Sequence, residues 1–146
     1  MKITKGTDYG IRGIIYLATQ PSGKVSLLHE IAKDEDVPET YLAKIFQDLT
    51  KAGLVRSHRG AKGGFCLAKP ASEITLRNVI EALQGPISLN RCLDIREGCP
   101  NVEGCAVYHV LRKAQEQLLA TLDAATLEVL AQETIAIQQA RSSAAT

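Results

Sequence analysis

Three of the four cysteines of this chain fall in one short stretch, "CLDIREGCPNVEGC" at 92–105, with Gly98, Pro100 and Gly104 between them. An odd trio cannot close as a set of internal disulfides, so the thiols point to metal or redox chemistry. The spacing is Cys92-x6-Cys99-x5-Cys105. Zinc ribbons and fingers pair their ligands about two to four residues apart, which this pattern does not match. Wide spacing in a Gly/Pro loop suits a larger object held by thiolates, such as an iron–sulfur cluster. Three thiolates leave a fourth position to fill. His109 is one helical turn beyond Cys105 on the same face, and an ordinary surface or interface histidine is the equal alternative. Asp8 is a second candidate if the first helix of a partner subunit comes near, and a plain helix-surface carboxylate is its alternative. Cys66, between Phe65 and Leu67, reads as a small half-buried strand residue. His29 and His58 read as surface positions.

The elements that must position these thiols belong to a chain of 146 residues, which suits one domain, or one domain with an added oligomerisation element. Hydrophobic residues make up 45% and aromatics 4%, with no Trp, so the expected core is aliphatic and helical. The start, "MKITKGTDYGIRGIIYLA", lacks the apolar core and cleavage site of a signal peptide. No apolar run reaches the ~18 residues of a membrane span. The expectation is a cytoplasmic protein without membrane contact, in a compartment where thiols stay reduced.

Charge is unevenly spread. Residues 1–69 carry 11 Lys/Arg and 7 Asp/Glu, a net of +4, while residues 70–146 carry 6 and 9, a net of −3. No acid occurs from Leu49 to Ser72, where Lys51, Arg56, Arg59, Lys62 and Lys69 lie. Such a stretch in a near-neutral protein suits a polyanion, although charge alone equally describes a solvated face.

Ile11, Ile14, Ile15 and Ala18 have helical spacing within 3–19, and Gly10 and Gly13 require close packing to hold that helix. "PSGK" is a turn, and Ser26 is the expected N-cap of a short helix through Ile31 and Ala32. Pro38 fits the first position of the next helix, which buries Leu42, Ile45, Phe46 and Leu49 until Gly53 stops it. Leu54–His58 and Phe65–Ala68 read as two strands around the loop "RGAKGG". This order of helix, helix and basic hairpin is the plan of a winged helix-turn-helix. Thr75 caps a further helix that Gly85 ends. A long amphipathic helix begins near Cys105, with Val107, Val110, Leu111, Ala114, Leu118 and Leu122 in one stripe. Asp123 is the expected cap of a last helix. The long stripe suits a partner subunit, with packing on its own domain as the alternative. The expected fold class is mainly α with a small β-hairpin wing: a winged helix-turn-helix plus a long C-terminal dimerisation helix. The expected divisions are a DNA-binding domain at 1–85, a cysteine loop at 86–106, dimerisation helices at 107–140 and a disordered tail at 141–146.

Double-stranded DNA is the partner this plan implies. Lys44 and Gln47 lie on the exposed side of the second helix of the pair, where Lys can pair with guanine and Gln with adenine. Thr40 and Tyr41 sit at its start, where phosphate contacts are common. Arg56, Arg59 and Lys62 are the phosphate-contact candidates of the wing. Gly63 and Gly64 are counted with them because glycines let a backbone approach the nucleic acid closely.

Taken together, "DYGIRGIIYLA", "VPETYLAKIFQDLTKAGLVRSHRGAKGGFCLAKPASEITLRNVIEAL" and "LLATLDAATLEVL" resemble the winged-helix regulator family that includes IscR, NsrR and RirA, over about residues 1–135. Members with three cysteines in this loop carry a [2Fe–2S] or [4Fe–4S] cluster, so the resemblance implies Cys92, Cys99 and Cys105 as ligands. The first gap is one residue longer than the family's commonest spacing. His109 is one residue later than the histidine that completes some [2Fe–2S] sites. The resemblance therefore favours a [4Fe–4S] cluster completed by Asp8 over a [2Fe–2S] cluster completed by His109.

The function these observations imply is a homodimeric transcription regulator, a repressor on a near-palindromic operator, responding to nitric oxide, redox state or iron–sulfur status. One rival keeps the fold and uses the thiols as a redox sensor or zinc site. Another is an iron–sulfur carrier with no DNA role. An enzyme is not expected, since no nucleophile–base–orienter set is in sight.

Overall fold

The computed structural model describes residues 1–61, 63–100 and 102–145. The first helix, α1 (Lys5–Thr19), starts where the Thr4 hydroxyl accepts the Thr7 N–H, and Thr7 itself is buried. Gly10 and Gly13 serve the close packing expected of them. A Cβ on Gly13 would stand 3.0 Å from the Phe46 ring, and one on Gly10 would meet Ile45 at 3.0 Å. The helix-turn-helix follows as α2 (Leu28–Glu35) and α3 (Glu39–Lys51). Asp36, in the left-handed conformation at φ 54°, closes α2 and turns the chain.

The core is aliphatic with one central aromatic. Ile14, Ile31, Leu42, Phe46, Leu49, Ile74, Val79 and Leu127 all lie in one buried cluster. The four α3 residues expected inward, Leu42, Ile45, Phe46 and Leu49, are all buried. The wing is an antiparallel pair, β1 (Val55–His58) and β2 (Gly64–Leu67), in the register Val55 with Leu67 and His58 with Gly64. Next, α4 (Leu76–Gln84) opens on a capping box: the Thr75 hydroxyl accepts the Asn78 N–H and the Asn78 side chain accepts the Thr75 N–H. The long helix is α5 (Ala106–Ala124) and the last is α6 (Leu127–Ala144).

Four local expectations move. Ser26 does not cap α2; Leu27 holds that position, without a side-chain cap bond. Ser26 instead pairs its backbone with Phe65, extending the wing by one bridge. Pro38 takes the cap position of α3 rather than its first turn. Asp123 does not cap α6. Arg77 on α4 holds it by an ion pair at 3.0 Å in the final turn of α5, and the Thr126 hydroxyl caps α6 through the Val129 N–H. Helix α6 also runs on through Ala144, into the segment expected as a disordered tail, because its Ala- and Gln-rich end favours helix.

The winged helix and the long helix are stitched together near Thr75. Leu76 N–H donates to Ala125 O and Leu127 N–H to Ile74 O, each at 2.8 Å. Leu127 is thereby held, fully buried, in the winged-helix core. Among the described residues no helix is long and apolar enough to cross a membrane.

Candidate nucleic-acid interface and cysteine loop

Helix α3 presents its polar face to solvent because its apolar positions are all used in the core. Thr40, Tyr41, Lys44 and Gln47 are exposed. Among the described residues no side chain caps the start of α3, where Thr40 and Tyr41 lie. The Tyr41 ring is fixed edge-on against Tyr9 of α1, with centroids 5.5 Å apart. His29 of α2 meets Glu39 at 3.2 Å, tying the first turn of α3 to its neighbour. Lys44, Gln47, Arg56 and Arg59 make no side-chain hydrogen bond or ion pair among the described residues. Their polar groups stay free for a ligand. Lys62, the third cation expected in the wing, lies outside the described residues.

Gly63 and Gly64 have a role in the fold itself. A Cβ on Gly63 would stand 2.4 Å from the His58 carbonyl oxygen, and one on Gly64 would stand 2.3 Å from that of Ser26. Both glycines are thus required by the hairpin's own backbone, before any contact with a phosphate.

The wing also holds a contact that the one-residue-at-a-time reading missed. His58 Nε2 lies 3.2 Å from Cys66 Sγ. Strand pairing places Arg56 opposite Cys66, so Arg56, Cys66 and His58 share one face. The signal was the register of the hairpin, which alternation alone would have supplied.

The cysteine loop leaves the winged helix at Gly85 and is anchored twice. Ile87 is buried, and Leu89 N–H donates to Gln115 Oε1 of α5 at 2.9 Å. Cys92 sits in a short 3-10 turn, Arg91–Leu93, with the Asn90 amide 3.7 Å from its sulfur. Between Cys92 and Cys99 the chain is folded on itself by charge. Arg91 pairs with Glu97 at 2.7 Å and Arg96 with Asp94 at 2.9 Å. The side chain and N–H of Arg96 together hold the Asp94 carboxyl down at about 2. Gly98, at φ 66°, closes this turn by donating to Asp94 O at 2.8 Å. A second 3-10 turn, Val102–Gly104, delivers Cys105 to the N-cap of α5.

Cys92, Cys99 and Cys105 are all free thiols and half-buried. As donors they suit a soft metal or a cluster. They are not gathered in the single chain: among the described residues no three His, Cys, Asp or Glu side chains come together in a metal-holding group. His109 is exposed on α5, its ring edge-on to Tyr108. Asp8 is engaged with Arg12 at 3.1 Å on α1. The stripe of α5 is uncovered at its start, with Val107 62% and Val110 68% exposed.

A helix-turn-helix with a free polar face, a basic two-stranded wing and a long protruding helix defines a winged-helix DNA-binding regulator. The iron-dependent transcriptional regulator family Rrf2 matches residues 3–133, and this chain belongs to that family. Protein aau3 of Rhizobium meliloti (strain 1021) is 39% identical over 131 residues, 89% of this chain and 84% of that one. The structure of CymR (YrzC), the global cysteine regulator of B. subtilis, is similar with a TM-score of 0.71 and 32% identity, over 91% of this chain and 98% of that one. T. potens IscR is similar with a TM-score of 0.73 and 26% identity, over 92% and 88%. Family membership makes the chain a DNA-binding transcription regulator and displaces the reading of a carrier without a DNA role.

Proposed function

We propose that this regulator is a repressor whose DNA affinity is set by an iron–sulfur cluster on its cysteine loop. The observation that carries the reading is the set of three free, half-buried thiols on one loop between the winged helix and α5. Cys92, Cys99 and Cys105 would hold the cluster, with Asp8 of a partner subunit completing a [4Fe–4S] form or His109 a [2Fe–2S] form. The cluster supplies a redox- and nitric-oxide-sensitive element. The chain supplies the transmission: the loop is bonded to α5 through Gln115, and α5 is joined to α4 of the winged helix through Arg77 and Asp123. A change in the loop can thereby shift the recognition helices. The exposed start of α5 supports a homodimer, each subunit reading one half of a near-palindromic operator through Lys44 and Gln47. Thr40, Tyr41, Arg56, Arg59 and Lys62 would position the backbone, with Gly63 and Gly64 keeping the wing close to it.

The test is iron, acid-labile sulfide and zinc per monomer on anaerobically purified protein, with its visible spectrum. About four iron and four sulfide favour [4Fe–4S] and Asp8, while about two of each favour [2Fe–2S] and His109. Zinc or no metal after anaerobic reconstitution overturns the cluster reading. A second reading then stands, in which the same thiols act as a redox sensor or zinc site. It is supported by the likeness to a global cysteine regulator.

A further inference from the structure

The fourth cysteine lies outside the loop and has surroundings of its own. Cys66 Sγ is 3.2 Å from His58 Nε2 on the face of the wing shared with Arg56. That face borders a solvent-open cavity of about 560 Å3, lined by Cys66 and His58 together with Lys24, Arg56, Lys69 and Glu128. Three cations against one carboxylate make the cavity attractive to a small anion. The thiol beside an imidazole supplies the nucleophile and the proton acceptor.

We propose that Cys66 and His58 form a thiol-modification site for small anionic disulfides, acting on DNA binding separately from the cysteine loop. In the reaction the Cys66 thiol passes its proton to His58 Nε2, and the thiolate attacks one sulfur of the disulfide. A bond forms between Cys66 Sγ and that sulfur as the disulfide's own S–S bond breaks, and the departing thiolate takes up a proton. The disulfide is the oxidant and no other is needed. The adduct places carboxylates beside Arg56, at the base of a wing whose charge is directed at phosphates. The switch rests on the wing's contact with DNA, not on the cofactor of the loop.

The probe is glutathione disulfide, applied to the full-length chain and followed by peptide mass mapping. Trypsin, which does not cut before Pro70, releases Gly63–Arg77, in which Cys66 is the sole thiol, so its adduct is read apart from the loop. The expected result is an adduct that forms about tenfold faster than in His58→Gln, with thiol reductant reversing it. Affinity for a mixed-sequence DNA duplex at low salt should fall about tenfold on modification and stay unchanged in Cys66→Ser. Equal rates in wild type and His58→Gln, or reaction confined to the loop thiols, overturn the site. An adduct that leaves duplex affinity unchanged overturns the switch. The iron and sulfide content of Cys66→Ser should match wild type, which separates this site from the proposed cluster. If duplex binding also survives Arg56→Ala and Arg59→Ala, the wing assignment fails, and the adduct rates still decide the chemistry.

Discussion

Ser26 and Phe65 exchange two backbone hydrogen bonds, of 2.9 and 2.8 Å, across the start of the helix-turn-helix and the second strand of the wing. The wing is therefore a third-strand appendage of the recognition domain, not a free hairpin. Ser26 is fully buried by this pairing, and its hydroxyl finds no hydrogen-bond partner among the described residues. Gly64, at φ 153°, is what lets the two backbones approach.

Gly64→Ala should break this junction. The added methyl would meet the Ser26 carbonyl, a backbone atom that cannot swing away, in a conformation that L residues rarely adopt. A loss of roughly 1–3 kcal/mol is expected in denaturant unfolding. Slower hydrogen exchange at Phe65 N–H in the variant than in wild type would contradict this account.

Wing and helix should separate by their salt behaviour. Arg56→Ala and Arg59→Ala remove the two charges proposed to face phosphates, so each should weaken binding about equally on all duplexes and reduce the salt slope by about one. Gln47→Ala should leave the slope alone and relax base preference by about 1–3 kcal/mol at one position. Duplex titrations over a salt series measure both, and unchanged affinity in the wing variants would misplace the phosphate contacts.

Leu127 anchors the last helix in the winged-helix core. Leu127→Ala should cost about 2–5 kcal/mol, from lost burial and the cavity left behind. Thr75→Ala removes the hydroxyl of the neighbouring capping box and should cost about 1 kcal/mol. Because both sit at the seam between the domain and α5, thermal unfolding should fall in both, further for Leu127→Ala.

The turn between Cys92 and Cys99 should survive acid unusually well. Asp94 is held at about 2, below the ordinary 3.8, by Arg96. A depressed carboxylate contributes stability that is present above its unfolded value and is lost as pH falls through the folded one. The Asp94–Arg96 turn is thus at full strength above about pH 4 and lost towards pH 2. Arg96→Ala should return the Asp94 carboxyl towards 3.8, read by carbon-detected NMR titration. No movement would assign the shift to another cause.

The inward face of α3, the wing strands and the three free thiols were legible from residue types, spacing and turn chemistry. Those features follow from local rules, in which a period of 3.6 or 2 assigns a face and glycine or threonine marks an end. Family resemblance in the same segments pointed to DNA binding. Errors gathered where two distant segments compete for one residue. Ser26 looks like a helix cap, but Phe65 takes its backbone. Asp123 looks like another, but Arg77 takes its carboxylate. Cys66 looked like filler until the hairpin register set it against His58. The sequence by itself determined the helix-turn-helix, its basic wing and the presence of three thiols in one loop, because each is written in contiguous residues. Only the tertiary structure decided which partner each ambiguous polar residue serves, because a hydrogen bond or ion pair goes to whichever group packing brings within reach.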